Sequence, residues 1–418
     1  MKMKKLLGLL LAAVMMFALT ACGSGDGSDS KSSADKPTNG GDSVGSGVAL
    51  ADIKVGFIFI GDENEGYTAA HQNGANAMME SLGLSKDQVT FKYNVPEGDE
   101  SLEAAEDLAD SGCNIIFANS FGHESYVMQV AKKYPDIQFC HATGYQAASS
   151  DLSNMHNYFT SVYESRYVSG VVAGLKLNEM IEDGTIKADE AKIGYVGAFP
   201  FAEVKSGFTA FYLGAKSVCE TVTMEVQYTS SWADQAMELQ TADALIADGC
   251  VLISQHADTV GAPTACEKAG VPVVGYNISM IEAAPNTALT SASIDWAPYY
   301  TYAVKCVLDG KAIDVDWCQG YSEGADKITE LNEKTVAEGT ADKVKEVEDA
   351  IKAGTLHVFD TSTFTVGGMS LEDYLASDKA TDDEKALAAN VSGGYYHESE
   401  SASAPSFIFV IDGITSNE

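Results

Sequence analysis

Polar and aromatic side chains cluster where two neighbouring strands of one predicted βαβ unit end. The unit spans residues 250–280, with a short apolar strand on each side of a helix. Five residues that follow or end these strands could contact a ligand: Gln255, His256, Asp258, Tyr276 and Asn277. Open α/β sheets bind ligands at the carboxyl ends of their strands, so these residues predict one wall of a pocket. The alternative interpretation is an ordinary solvated loop.

Aromatic residues follow several other predicted strands, with carboxylates among them. The aromatic residues are Tyr67, Phe121, Phe199, Phe201, Trp232 and Tyr276, and the carboxylates are Asp62, Glu65, Asp234, Asp258 and Asp295. A single aromatic residue at a strand exit is more often a packing residue, but several around one rim favour binding. Ring faces supply contact area and carboxylates fix orientation, which suits a flat ring that carries N–H groups.

The sequence contains none of the common catalytic motifs. It has no GxSxG nucleophile elbow, no Walker loop, and no GxGxxG after the first predicted strand. His256 and Asp258 could act as a base and its orienting group, but no nucleophile stands beside them. We therefore predict a protein that captures a small molecule and is not an enzyme.

Strand-like and helix-like segments alternate along the chain. The predicted strands include residues 53–60, 89–93, 114–118, 137–142, 192–197 and 223–228, and helix-like segments separate them. This alternation is typical of a doubly wound α/β fold. The length of 418 residues predicts two domains, which need not be consecutive in sequence.

The amino-terminal 22 residues predict an export signal. A basic head precedes an apolar core over residues 6–19, which is shorter than the ~20 residues of a membrane-spanning helix. The ending Leu-Thr-Ala-Cys resembles a bacterial lipobox, so Cys22 is expected to carry the lipid; a plain signal peptide is the alternative. Residues 23–50 begin as a Gly/Ser/Asp-rich stretch and predict a flexible tether. The protein is thus expected on the cell membrane, held by lipid alone and facing outside the cytoplasm.

Charge and cysteine content exclude other classes. The formal net charge of −34 argues against nucleic acid and against electrostatic docking on anionic lipid. Apart from Cys22, seven of the eight cysteines remain, an odd number without a CxxC pair or a metal-ligand spacing. We predict no metal site and no cofactor.

Several segments together resemble the BMP (basic membrane protein, PnrA-like) lipoproteins, the substrate-binding components of ABC importers for purine nucleosides and related compounds. They are residues 122–135 with Phe139, 158–174, 193–214, 232–234 (WAD), 255–258 (QHAD), 289–300 (LTSASIDWAPYY) and 404–414 (APSFIFVIDGI). Each segment alone is a weak signal, but the set is specific and covers nearly all of the mature chain.

The resemblance implies a type I periplasmic-binding-protein fold, in which two Rossmann-like lobes hold a ligand in the cleft between them. The expected first lobe comprises residues 51–158 with 296–316, and the second comprises 159–295 with 317–418. The implied partners are a purine base or nucleoside and the permease subunits of an ABC importer. The protein is expected to be a monomer.

The resemblance also implies the ligand contacts. Carried over position by position, they are Asp62, Tyr67, Phe121, Trp232, Asp234, Gln255, His256, Asp258, Tyr276, Asn277, Asp295 and Trp296. Nucleoside-binding members commonly have Asp where Asn277 stands and Lys near Asp295, so a free base is at least as plausible here as a nucleoside. Asp295 has an alternative role as the N-cap of the helix that begins near Trp296.

Three functions from different classes stay open at this point. They are a transport receptor for a purine, a receptor for a sugar or other polar solute, and a ligand-sensing surface lipoprotein. Sugar receptors of this architecture also stack their ligands on aromatic rings, so the fold does not separate the first two.

Overall fold

A computed structural model describes residues 45–417, so the predicted signal peptide with Cys22 and most of the tether lie outside the described residues. Its strands are β1 Val55–Ile58, β2 Val89–Lys92, β3 Ile115–Ala118, β4 Gln138–Ala142, β5 Met155–Thr160, β6 Lys192–Gly197, β7 Thr223–Tyr228, β8 Leu252–His256, β9 Val273–Tyr276, β10 Ala288–Ile294, β11 Asp316–Gln319, β12 Asp326–Ile328, β13 Val391–Ser392, β14 Tyr395–Tyr396 and β15 Ile414–Ser416. Its α-helices are α1 Gly66–Leu82, α2 Asp99–Asp110, α3 Glu124–Lys133, α4 Tyr163–Glu182, α5 Ala202–Lys216, α6 Gln235–Ala247, α7 Gly261–Ala269, α8 Ala297–Asp309, α9 Thr340–Lys352, α10 Leu371–Ala376 and α11 Asp382–Ala386.

The strands form two large sheets with the same internal order. The first sheet runs β2-β1-β3-β4-β5-β11 and all its pairs are parallel. The second contains β7-β6-β8-β9-β10, also parallel, with antiparallel β12 on one edge and parallel β15 on the other. Each sheet is therefore a Rossmann-like unit, and we call the two units the first and second lobes. This is the predicted α/β fold of two lobes.

Helix cover explains why the central strands are buried along their whole length. Every residue of β1, β3 and β8 is buried, as expected for parallel strands packed on both faces. The core of the second lobe extends to the carboxyl terminus, because Phe407, Phe409 and Ile411 are buried in it before β15 adds an edge strand.

The chain crosses between the lobes three times. It passes from β5 to α4, from β10 to α8, and from β11 to β12, and α8 returns to pack on α1.

The lobe boundaries differ slightly from the expected ones. Residues 159–160 and 317–319, assigned above to the second lobe, pair within the first sheet as the end of β5 and most of β11.

Helix α1 begins at the edge of the cleft between the lobes. The side chain of Glu65 is its N-cap and accepts hydrogen bonds from the backbone N–H groups of Tyr67 and Thr68 at 2.6 and 2.9 Å. Glutamate is not one of the commoner N-cap residues, so the sequence alone does not mark this helix start clearly. The cap fixes the direction in which the loop after β1 meets the second lobe.

Within residues 45–417, no helix is long and apolar enough to cross a membrane. The seven cysteines of this part of the chain are free thiols, and six of them are buried. No group of three or more His, Cys, Asp or Glu side chains in the same part of the chain could hold a metal ion.

Candidate ligand-binding site

A cavity of about 110 Å³ lies between the lobes, at the carboxyl ends of strands from both sheets. The first lobe contributes Ile60, Gly61, Glu65, Tyr67, Asn119, Ser120, Phe121 and Thr143, and the second contributes Glu203, Trp232, Ala233, Asp258 and Tyr276. The cavity thus occupies the position where open α/β sheets bind ligands, shared here by two facing sheets.

Five of the predicted contact residues line this cavity: Tyr67, Phe121, Trp232, Asp258 and Tyr276. They come from five different strand exits and from both lobes. Tyr67 donates its hydroxyl proton to the backbone carbonyl of Asn119 at 2.6 Å, which fixes its ring against the wall. The structure therefore gathers the aromatic part of the predicted site around one space.

Three other predicted residues lie behind the cavity wall and support it. Gln255 uses its amide nitrogen to donate to the carbonyl groups of Ala257 and Thr259, at 2.7 and 3.0 Å. Asn277, at a left-handed φ of 66°, donates from Nδ2 to Oδ1 of Asp258 at 2.7 Å. Gln255 and Asn277 hold the loop that carries Asp258, and the third residue, His256, is described below.

Asp62 and Asp234 are not among the cavity-lining residues. Asp62 accepts hydrogen bonds from the backbone and side chain of Asn64 and from Asn94, which stabilise the loop after β1. Asp234 is the N-cap of α6 and accepts from the N–H groups of Ala236 and Met237. Both carboxylates thus shape loops beside the site, a use that the sequence pattern does not distinguish from ligand contact.

Asp295 and Trp296 also lie outside the cavity. Asp295 accepts from the backbone N–H of Ala297 at 3.1 Å, and its other oxygen lies 2.8 Å from Nζ of Lys327. Trp296 is fully buried in the first lobe, where its ring stacks on His71 with centroids 3.9 Å apart. Asp295 thus accepts from the turn that leads into α8, one residue before the N-cap position, which Trp296 occupies.

Sequence reasoning missed several lining residues, above all Glu203 and Asn119. Glu203 stands in the first turn of α5, and Asn119 directly follows β3. Asn119 directly follows a predicted strand, which was a usable signal, whereas Glu203 stands six residues beyond one. Glu65 was noted among the carboxylates and lines the cavity, although it was not carried over as a contact.

The lining is acidic, and burial raises the pKa of each of its three carboxyl groups above the usual value. Burial raises the pKa of Asp258 well above its usual value, and the charges of Glu65, Glu238 and Glu203 act in the same direction. Burial raises the pKa of Glu203 to about 7, against the opposing effect of the nearby Arg166 guanidinium. Burial also raises the pKa of Glu65. No lysine or arginine is among the lining residues, so the cavity favours ligands that donate hydrogen bonds over anions.

Arg166, a buried residue of α4, is the cation behind this acidic wall. Its guanidinium carbon lies 3.6 Å from the centroid of the Tyr276 ring, and Nη1 donates to the carbonyl of Gln255 at 2.7 Å. The guanidinium group therefore packs against the ring of Tyr276, whose side chain also lines the cavity.

Glu203 is oriented by two buried side chains. The Nε2 atom of His256 lies 3.2 Å from Oε1 of Glu203, and Nδ1 lies 3.2 Å from the hydroxyl of Tyr195. Burial holds the pKa of His256 well below its usual value, so the ring is neutral. When Glu203 is ionised, Nε2–H donates to it while Nδ1 accepts from the Tyr195 hydroxyl. His256 is thus a positioning residue.

Two buried polar atoms of the lining have no hydrogen-bond partner among residues 45–417. They are Nδ2 of Asn119, a donor, and the hydroxyl of Tyr276. A buried polar group without a partner costs about 1–3 kcal/mol, so these atoms favour a ligand that supplies partners. The cavity thus offers a few donors among mostly accepting groups.

Aromatic rings meet across the mouth of the cleft. The rings of Phe121 in the first lobe and Phe201 in the second have centroids 6.2 Å apart, and each side chain is 46% exposed. Phe199 lies behind Phe201 and contacts Trp232 edge to face at 5.4 Å. These residues give the cleft an apolar rim over an acidic floor.

Two Rossmann-like lobes joined by three crossovers, with a cavity between their strand ends, define a type I periplasmic-binding-protein fold and a substrate-binding protein. A solute-binding protein of an ABC transporter from Aeropyrum pernix has the same fold, with a TM-score of 0.62 at 17% identity over 81% of this chain and 97% of that chain. The chain belongs to the Bmp family of PnrA-like ABC transporter substrate-binding proteins, whose sequence model matches residues 54–358. It is therefore a binding protein and not an enzyme, and it works outside the cytoplasm with permease subunits.

Two relatives differ in the ligand that their names state. A purine-binding protein of Brucella abortus is 34% identical over 83% of this chain and 93% of its own length. A putative ABC transporter glucose-binding protein of Haloferax volcanii is 30% identical over 75% of each chain. Membership of the family therefore does not decide the class of ligand, which depends on the residues of the cleft.

Proposed function

We propose that this substrate-binding protein captures a purine base or purine nucleoside for an ABC importer. The observation that carries the proposal is the composition of the cavity wall, where Glu65, Glu203 and Asp258 stand among the rings of Tyr67, Phe121, Trp232 and Tyr276. A purine presents flat faces for stacking and N–H groups around its edge. Carboxylates accept from such groups, and aromatic rings supply the contact area.

The name of the Brucella relative supports the purine class, because that protein is similar over most of both chains. The acidic lining supports an uncharged ligand, since a phosphate group would face carboxylates without a neutralising cation on the wall. We therefore expect bases and nucleosides to bind and nucleotides to bind far more weakly.

Calorimetric titration tests the proposal directly. The protein, refolded to remove any ligand that co-purifies, is titrated with hypoxanthine, adenine, guanosine, adenosine and adenosine monophosphate. Saturable binding of at least one base or nucleoside, with the nucleotide at least a hundredfold weaker, is expected. If none of the four uncharged purines binds, the purine assignment is wrong.

A sugar is the second candidate, because the Haloferax relative is named a putative glucose-binding protein. Carboxylates also accept from sugar hydroxyls, and aromatic rings also stack on sugar rings. Glucose therefore belongs in the same titration series. Glucose binding without purine binding would favour this candidate, and purine binding without glucose binding would remove it.

We further propose that the protein is held on the outer face of the membrane by lipid on Cys22. The basis is the Leu-Thr-Ala-Cys sequence that ends the predicted export signal, followed by a polar Gly/Ser/Asp-rich stretch. The experiment that tests this anchor is described in the Discussion.

A further inference from the structure

The start of helix α1 forms a direct hydrogen bond between the two lobes. The Glu65 cap accepts from the N–H groups of Tyr67 and Thr68 and leaves the N–H of Gly66 free for another acceptor. That acceptor is the backbone carbonyl of Asp258 in the second lobe, at 2.9 Å. A main-chain contact therefore closes the cleft beside the cavity.

This contact can be close because residue 66 is a glycine and has no side chain. A Cβ atom there would lie 3.0 Å from the carbonyl oxygen of Asp258, 3.6 Å from Cγ1 of Ile278 and 3.7 Å from Cβ of Asn277. The first distance is tighter than ordinary contact and involves backbone, which yields less readily than a flexible side chain. Any larger residue would hold the lobes further apart at this point.

Asp258 is fixed within its own lobe as well. Its N–H donates to the carbonyl of Trp232 at 2.9 Å, and its Oδ1 accepts from Nδ2 of Asn277 at 2.7 Å. Because its carbonyl also accepts from Gly66, Asp258 is bonded to both lobes while its side chain lines the cavity. A change in the separation of the lobes would therefore move the carboxylate of Asp258 directly.

We propose that Gly66 is a positioning residue that sets how far the cleft closes and so places Asp258 against the bound ligand. The inference depends on closure of the lobes and not on the identity of the ligand. Gly66 does not line the cavity, and it therefore acts through Asp258.

Gly66→Pro is the sharpest variant, because it removes the donor without opposing the helix. Gly66 is the first residue of α1, where proline is favoured, and Glu65 already has the extended backbone that a following proline requires (φ −102°, ψ 129°). Gly66→Ala keeps the donor and adds only the Cβ atom. The matched control is Gly98→Ala at the start of α2 in the same lobe, where the added Cβ would meet only the carboxylate end of Glu100.

The expected result is weaker binding without loss of stability. With the tightest-binding purine of the titration series, we expect Gly66→Pro to raise the Kd about tenfold or more and Gly66→Ala about threefold. Both variants are expected to release the ligand faster, measured by the fluorescence of Trp232 in stopped-flow experiments. Melting temperatures without ligand are expected to stay at or above the wild-type value, and Gly98→Ala is expected to bind as the wild type does.

Small-angle scattering without ligand separates this inference from the purine assignment. We expect the ligand-free Gly66→Pro protein to have a larger radius of gyration than the ligand-free wild type. If the wild type binds no purine but the radius still increases, the purine assignment fails and the closure contact stands. An unchanged radius of gyration in Gly66→Pro overturns the inference. If a purine binds, an affinity and a release rate equal to those of the wild type overturn it as well.

Discussion

The Nε2 atom of His256 lies 3.2 Å from Oε1 of Glu203, and this contact determines what the acidic wall can do. A neutral imidazole that donates to Glu203 fixes one carboxylate oxygen and leaves the other available to the cavity. The buried hydroxyl of Tyr195 fixes the tautomer by donating to Nδ1. Glu203 therefore acts as an oriented acceptor when it is ionised.

Exchange of Glu203 for glutamine is expected to weaken purine binding about tenfold or more. A glutamine whose oxygen accepts from His256 turns its amide N–H groups toward ligand N–H groups, and a buried polar mismatch costs about 1–3 kcal/mol. Calorimetry on Glu203→Gln measures the loss, with the exposed Glu220→Gln in the same lobe as a control. Equal affinity of Glu203→Gln and the wild type would show that Glu203 does not contact the ligand.

Stability and affinity are expected to change in opposite directions with pH. Burial raises the pKa of both Glu203 and Glu238 to about 7. In the unfolded chain a glutamate titrates near pH ~4.3, so between these values the folded protein holds more protons than the unfolded one. The ligand-free protein should therefore lose stability as the pH rises from about 4.5 through 7. Over the same range the accepting form of Glu203 increases, so purine affinity should rise.

Melting curves and titrations from pH 5 to 8 check both trends, and a matched pair of variants separates them. Both Glu203→Gln and Glu238→Gln should flatten the pH dependence of the melting temperature. Glu238 does not line the cavity, so Glu238→Gln should leave the rise in affinity with pH in place. We assign the rise of purine affinity with pH to ionisation of Glu203. This assignment would be contradicted if the rise were lost in Glu238→Gln or if it persisted in Glu203→Gln.

The fold was predictable from sequence because its signals are local and repeated. Buried parallel strands such as Ile115–Ala118 are continuous apolar runs, and helices alternate with them. The exact lobe boundary was not predictable, since β11 pairs with β5 far away in sequence and its own four residues carry no strong pattern. The family resemblance supplied the two-lobed arrangement that local pattern alone leaves open.

The site was predictable in outline but not residue by residue. Strand exits identified Tyr67, Trp232 and Asp258, because position at the end of a parallel strand follows from topology. Sequence does not show whether an aspartate after a strand faces the cleft or accepts from the next backbone N–H groups, as Asp234 does. It also gave no reason to choose Glu203, because its role depends on contact with His256, which lies 53 residues further along the chain.

The lipid anchor is tested by exchange of Cys22 for serine. Serine has no thiol to accept the lipid, so Cys22→Ser should leave an uncleaved precursor or release the protein from the membrane fraction. Fractionation and mass spectrometry of the mature amino terminus measure both outcomes, with exchange of the buried Cys266 for serine as a control for loss of another thiol. Normal processing and unchanged membrane association of Cys22→Ser would refute the anchor.

Exchange of Asp295 for asparagine is expected to have little effect on ligand binding. Its carboxylate accepts from the N–H of Ala297 and pairs with Lys327, whose side chain is half exposed. Asparagine is nearly as good a cap, and an exposed ion pair contributes about 0–1 kcal/mol, so the melting temperature should fall by a few degrees at most. Asp258→Asn, the same change on the cavity wall, is the matched comparison and should weaken purine binding about tenfold or more, because it replaces a buried acceptor. Calorimetry on both variants decides which aspartate the ligand contacts. A tenfold loss of affinity in Asp295→Asn, with no loss in Asp258→Asn, would contradict the proposed site. It would place the ligand against the crossover before α8 instead of in the cavity between the strand ends.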